Sequence, residues 1–259
     1  MSLSRYLTVV YLVLASAACS LLPDQIDETK SWSANKFYSE AKDAMDSGDY
    51  ELAAKHFDTL QARYPIGRLA QQAQLEIIYA YYRDNEPASA IAAADRFIKL
   101  QPRHPYVDYA YYLKGLTNFN QGRGLIERIV PQDAAQRDPG AARQSFQDFS
   151  ELVQRFPQSK YAEDSALRMA YLRNNLAQYE VNVAEYYMRR GAYLAAANRA
   201  KYVVENYQRT PAVEGALVVM IEAYKVMELN DLAGDALRVL ELNHPGSPGI
   251  AEVKSLRVK

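Results

Sequence analysis

Four prolines of this chain stand at the end of one repeated pattern. Counting back from Pro65, Pro102, Pro157 and Pro245, the residue twelve places earlier is Ala53, Ala90, Ser145 or Ala233, small each time. Eight places back lie Phe57, Ala94, Phe149 and Leu237, and five places back Leu60, Phe97, Leu152 and Leu240. These offsets run i, i+4, i+7, so the three positions share one face of a helix, and the proline then stops it. A short helix with one apolar stripe cannot bury that stripe alone. Copies of it must stack on one another, which restricts the chain to a repeat architecture.

The fourth of five units in chain order emerges in another register: "RGAYLAAANRA" at 190–200 aligns with "SGDYELAAKHF" at 47–57, setting Gly191 and Tyr193 where Gly48 and Tyr50 stand. In the first copy Phe37, Ala41 and Ala44 supply a preceding helix with a bulky residue followed by small ones. This is the spacing of the tetratricopeptide repeat. The expected fold is an all-α superhelical solenoid of about five such helix pairs over 34–245, with units near 34–65, 70–102, 106–157, 158–211 and 212–245. Two units depart from the usual length. Unit three carries an insertion, "QGRGLIERIVPQDAAQRDPG" at 121–140, and residues 158–190 hold a single Gly–Pro-free run, which predicts one helix of about 30 residues. Residues 246–259 read as a C-terminal extension. The concave groove of such a stack suits peptides and partner proteins and rarely does chemistry.

The amino terminus has a different grammar. "MSLSRYLTVVYLVLASAACS" places Arg5 before an apolar run from Tyr6 to Leu14, then small residues directly before Cys19. That is the layout of a cleaved secretory signal over 1–18, too short for a membrane span, which needs about 20 apolar residues. Cys19 is the sole cysteine, so neither an intramolecular disulfide nor a cysteine metal cluster can form. The stretch resembles a bacterial lipobox, with Ser16 where Leu is usual; a conventional cut near Ala18 is the alternative. On the lipobox reading Cys19 becomes the mature N-terminus and carries a diacylglycerol and an N-acyl chain, and more than one chain anchors firmly where one would not. Ser20 is not the Asp that retains such lipoproteins at the inner membrane, so the expected destination is the outer membrane, facing the periplasm. Residues 19–33 then form a polar, lipidated tether.

Thirty Lys and Arg against 31 Asp and Glu give a net charge of −1, which argues against a nucleic-acid partner held by bulk electrostatics. No catalytic constellation stands out, no enzymatic role is expected, and no metal or free cofactor is called for. His56, His104 and His244 lack the spacing of metal ligands and read as surface or capping residues. "SANK" at 33–36 has the S-x-x-K spelling of an acyltransferase without its companion motifs, and it opens a helix. Tyrosine is abundant at 21 residues. In "AYYRD", "YAYYLKG" and "AEYYMRRG", Tyr82, Tyr112 and Tyr187 are candidate groove contacts, because Tyr offers contact area at little entropic cost. Arg189, Arg190, Arg199 and Lys201 are either a solvated basic face or a docking site for acidic side chains, with Arg199 expected on an exposed face of unit four.

Longer runs carry a more specific likeness. "GDYELAAKHFDTLQARYPIG", "RDPGAARQSFQDFSELVQRFPQSKYAEDS" and "VAEYYMRRGAYLAAANRAKYV" resemble the BamD family, the tetratricopeptide lipoproteins of the outer-membrane β-barrel assembly (BAM) machinery. The resemblance covers Cys19 to about Pro245. It implies a non-enzymatic subunit that docks through its C-terminal repeats to the periplasmic domains of the barrel subunit, works beside accessory lipoproteins, and helps recognise the C-terminal signal of nascent outer-membrane proteins. Tyr64 in "RYPIG" and Arg199 in "ANRAK" match positions that the family uses for substrate signal and barrel-subunit contact, with Arg190 a neighbouring candidate. A tetratricopeptide lipoprotein adaptor of another envelope assembly is the alternative.

Overall fold

The computed structural model describes residues 28–121, 135 and 138–256. Cys19, the signal and most of the 121–140 insertion lie outside the described residues. A 3-10 turn at Glu28–Ser31 leads into α1 (Ala34–Ser47), α2 (Tyr50–Arg63), α3 (Arg68–Arg83), α4 (Pro87–Leu100), α5 (Val107–Asn120), α6 (Gly140–Arg155), α7 (Ala162–Arg189), α8 (Tyr193–Asn206), α9 (Ala212–Val226), α10 (Asn230–Asn243) and α11 (Gly249–Ser255). No strand occurs among the described residues. From α1 to α10 the helices form five successive A–B pairs, each helix packed on the next. A helices of successive units also touch, α1 on α3, α3 on α5 and α7 on α9, whereas among the described residues no two B helices make contacts of that extent. The A row is therefore the inner side of the solenoid and the B row the outer side.

The sequence writes both ends of each unit. Turns between A and B pass through a left-handed residue at Gly48 (φ 85°), Asn85 (61°), Gly191 (73°) and Glu228 (61°). Glycine takes that conformation at no steric cost, whereas Glu228 bears a Cβ penalty. Every B helix then closes alike. Tyr64, Gln101, Phe156, Tyr207 and His244 leave helical geometry and donate their N–H groups to the carbonyls of Leu60, Phe97, Leu152, Val203 and Leu240. In four of the five a proline follows and pushes the preceding residue towards extended backbone. Tyr207 precedes Gln208 and adopts the same shape, so packing sets the stop as much as proline does.

The register read from the prolines is the core. Ala53, Ala90, Ser145, Ala196 and Ala233 are buried, as are Leu60, Phe97, Leu152, Val203 and Leu240. At the serine position the Ser145 hydroxyl donates to the Gly115 carbonyl at 2.9 Å, which keeps α5 and α6 in close approach. The long Gly–Pro-free run is the single helix α7, 28 residues in length. Ser33 of "SANK" caps α1, its hydroxyl accepting from the Lys36 N–H at 3.3 Å.

Three expectations change. The last part of the tether is docked: Trp32 packs on Phe37 with ring centroids 5.1 Å apart and on His56 at 5.4 Å. His56 is thus a core-edge residue, not a surface one, and burial lowers its pKa. The segment read as a C-terminal extension contains α11, whose Val253 is fully buried against Leu217, Ile221 and Leu240. A helix of only seven residues stands there in place of a sixth unit and covers the end of α9.

Candidate docking site on the fourth repeat

Along α7 the apolar stripe Leu176, Ala177, Val181 and Ala184 is interrupted by Glu180, only 2% exposed. A carboxylate cannot stay charged in such a place without counter-charges. Two supply them. Arg199 on α8 donates through Nη1 to Glu180 Oε2 at 2.7 Å, and Arg143 on α6 through Nη2 to Oε1 at 3.1 Å. The Glu180 contact is also the leading cause of the raised pKa of Arg199. Since α6 and α8 are consecutive B helices with the A helix α7 between them, this triad fastens units three and four together.

The arginines are not enclosed. Their side chains remain 53% (Arg143) and 45% (Arg199) exposed, and they border an open cavity of about 530 Å³ shared with Tyr187, Ala195, Asn198 and Tyr202. Arg199 is therefore exposed as expected but not free of the fold. Its charge reversal would set a second carboxylate against buried Glu180, so residue 199 bears on the stack as well as on its exposed face. The sequence reading missed Glu180 and Arg143. The available signal was a charged residue in the apolar stripe of α7, which demands partners on both neighbouring helices.

The other candidates scatter. Tyr64 closes α2, 37% exposed, and its hydroxyl donates to the Trp32 carbonyl at 2.7 Å, tying the N-terminal segment down. Arg190 follows α7, exposed and without an ion-pair partner among the described residues. Tyr187, on α7, borders the same cavity as Arg199. Tyr82 accepts from the Asn120 amide at 2.8 Å and is partly buried in the first core cluster. Tyr112 stacks on Tyr161 with centroids 4.5 Å apart and donates to Asp164 at 2.8 Å; burial, then the Asp164 bond, push its pKa up to about 12. Tyr82 and Tyr112 thus each make a hydrogen bond within the stack, Tyr82 as acceptor and Tyr112 as donor. No group of side chains suited to hold a metal ion occurs among the described residues.

No helix among the described residues is long and apolar enough to cross a membrane. Residues 30–254 match the YfiO family model, described as "Outer membrane lipoprotein". The outer membrane protein assembly factor BamD of Neisseria meningitidis serogroup B is 46% identical over 249 residues, 95% of this chain and 93% of the relative. The protein of the same name from Vibrio cholerae serotype O1 is 36% identical over 225 residues, 87% and 92% of the two chains. That from Haemophilus influenzae is 33% identical over 211 residues, 82% and 80%. With a model match across nearly the whole helical stack and relatives of full length at this identity, the chain belongs to the YfiO family of outer membrane lipoproteins, alongside the BamD assembly factors.

Proposed function

We propose that the chain is a non-enzymatic scaffold and recognition subunit of the BAM complex. Lipid on Cys19 anchors it to the outer membrane on the periplasmic side. The fourth repeat docks the periplasmic domains of the barrel subunit, with Arg199 as a principal contact and Arg190 beside it, while the first repeat, with Tyr64, takes the C-terminal signal of nascent barrel proteins. The observation that carries this reading is 46% identity, over 93% of its length, to a protein named as an outer membrane protein assembly factor. The half-exposed Arg199 gives the docking end a chemical basis, because a guanidinium pairs with carboxylates through directed, charge-assisted bonds.

Copurification from outer membranes tests it. Wild type should bring down the barrel subunit and the accessory lipoproteins. Arg199→Ala is the cleaner probe than Arg199→Glu, because Arg143 stays on Glu180 and the stack keeps its counter-charge. That variant should remain folded and lose the barrel subunit. Recovery of a different envelope assembly with no barrel subunit would overturn the proposal.

A further inference from the structure

Arg143 and Glu180 have no part in the docking reading above, yet their geometry fits one. Each guanidinium spends a single nitrogen on Glu180, Nη2 of Arg143 and Nη1 of Arg199. A guanidinium carries five N–H donors in a planar fork, and no other acceptor among the described residues takes the rest. Both side chains are about half exposed at the mouth of the same cavity. The remaining lining residues, Tyr187, Ala195, Asn198 and Tyr202, are uncharged, so two cations and one buried carboxylate leave the site with a net single positive charge.

We propose that Arg143 and Arg199 are the two arms of a socket for one carboxylate side chain of the docked protein partner, and that Glu180 is the positioning residue that holds both arms. The inference rests on the docking reading. Long arginine side chains lose much rotamer freedom on binding, and an internal anchor removes part of that cost before the partner arrives. Placement on neighbouring B helices makes the socket a feature of the junction between units three and four, not of the fourth repeat alone. The open outer side suits an acidic side chain presented by a folded partner, and the two tyrosines offer flat contact area around it.

Glu180→Gln separates positioning from bulk charge. It raises the local charge, so electrostatic attraction alone predicts tighter binding to an acidic partner, whereas loss of the anchor predicts weaker binding. The dissociation constant for the periplasmic domains of the barrel subunit would be measured with the purified full chain, alongside circular dichroism and thermal melts. Arg143→Ala should weaken binding by about tenfold or more, the scale of a lost hydrogen bond to a charged group. Arg143→Lys should restore only part of it, because it keeps the charge and loses the fork. Glu180→Gln should weaken binding while the chain stays folded; if that variant does not fold, the Arg143 pair decides. Wild-type binding by Arg143→Ala, or tighter binding by folded Glu180→Gln, would overturn the socket. Absence of binding by the wild-type chain would instead overturn the docking reading beneath it.

Discussion

A Cβ built on Gly115 would lie 2.6 Å from the Phe149 ring, a side chain with no exposure at all. The glycine in α5 is thus the counterpart of the small residue in α6: it lets an aromatic fill the space between helices. Gly115→Ala should cost about 1–3 kcal/mol through overpacking, read as a lower melting temperature with helical content retained. Glu222 makes a prediction of the opposite sign. Burial raises its pKa, and Glu252 and Glu185 across the same cleft add to the shift. The folded chain therefore holds its proton more tightly than the unfolded one. Its contribution is present below the ordinary carboxylate pKa and is lost as pH rises through the raised value. Glu222→Gln should accordingly melt higher than wild type at about pH 7.5, and the gain should vanish near pH 3.5. A gain that grows on acidification would show that the carboxylate is not strained. At this scale the sequence was legible where one residue obeys the repeat, as at Ala53 or Leu60, and opaque where two distant residues meet. Nothing in "AARQ" announces that Arg143 reaches Glu180, because the pairing depends on how α6 crosses α7.

Helices were the most legible level. Period, turn residues and prolines all point to the same boundaries, and α7 was readable as one helix because nothing within it breaks the ladder. Two elements escaped for physical reasons. The N-terminal segment is held by backbone acceptors, Arg63 donating to the Thr29 carbonyl and Tyr64 to that of Trp32, and backbone acceptors leave no mark in a sequence pattern. The final helix is too short to show a period, and only its docking on α9 defines it. Lys225 donates to the Val253 carbonyl, and Gly249 admits Val218 where a Cβ would come within 2.4 Å. Val253→Ala should therefore destabilise the chain by about 2 kcal/mol despite lying outside the repeats. A melt indistinguishable from wild type would mean that α11 is dispensable to the stack. Conversely, Ala53→Leu and Ala90→Leu should each cost about 1–3 kcal/mol, since both sites are fully buried between helices.

At the scale of the molecule, a solenoid separates its ends: each unit contacts its neighbours, and among the described residues the helices of the first pair pack on no helix that also packs on the fourth. Tyr64 secures the N-terminal segment at one end, and Arg199 stands over the Glu180 junction towards the other. The proposed division of labour follows from that separation, with substrate capture at the first repeat and attachment to the barrel subunit at the fourth. The most direct test measures both activities on the same variants: copurification of the barrel subunit, and photocrosslinking to a peptide that carries the C-terminal signal of an outer-membrane protein. Arg199→Ala should lose the barrel subunit and keep the peptide. Tyr64→Ala should keep the barrel subunit and lose the peptide, with Tyr64→Phe, which retains the ring and gives up only the bond to Trp32, standing closer to wild type. Equal loss of both activities in Tyr64→Ala and Arg199→Ala would contradict the account, because the two ends would then be one site.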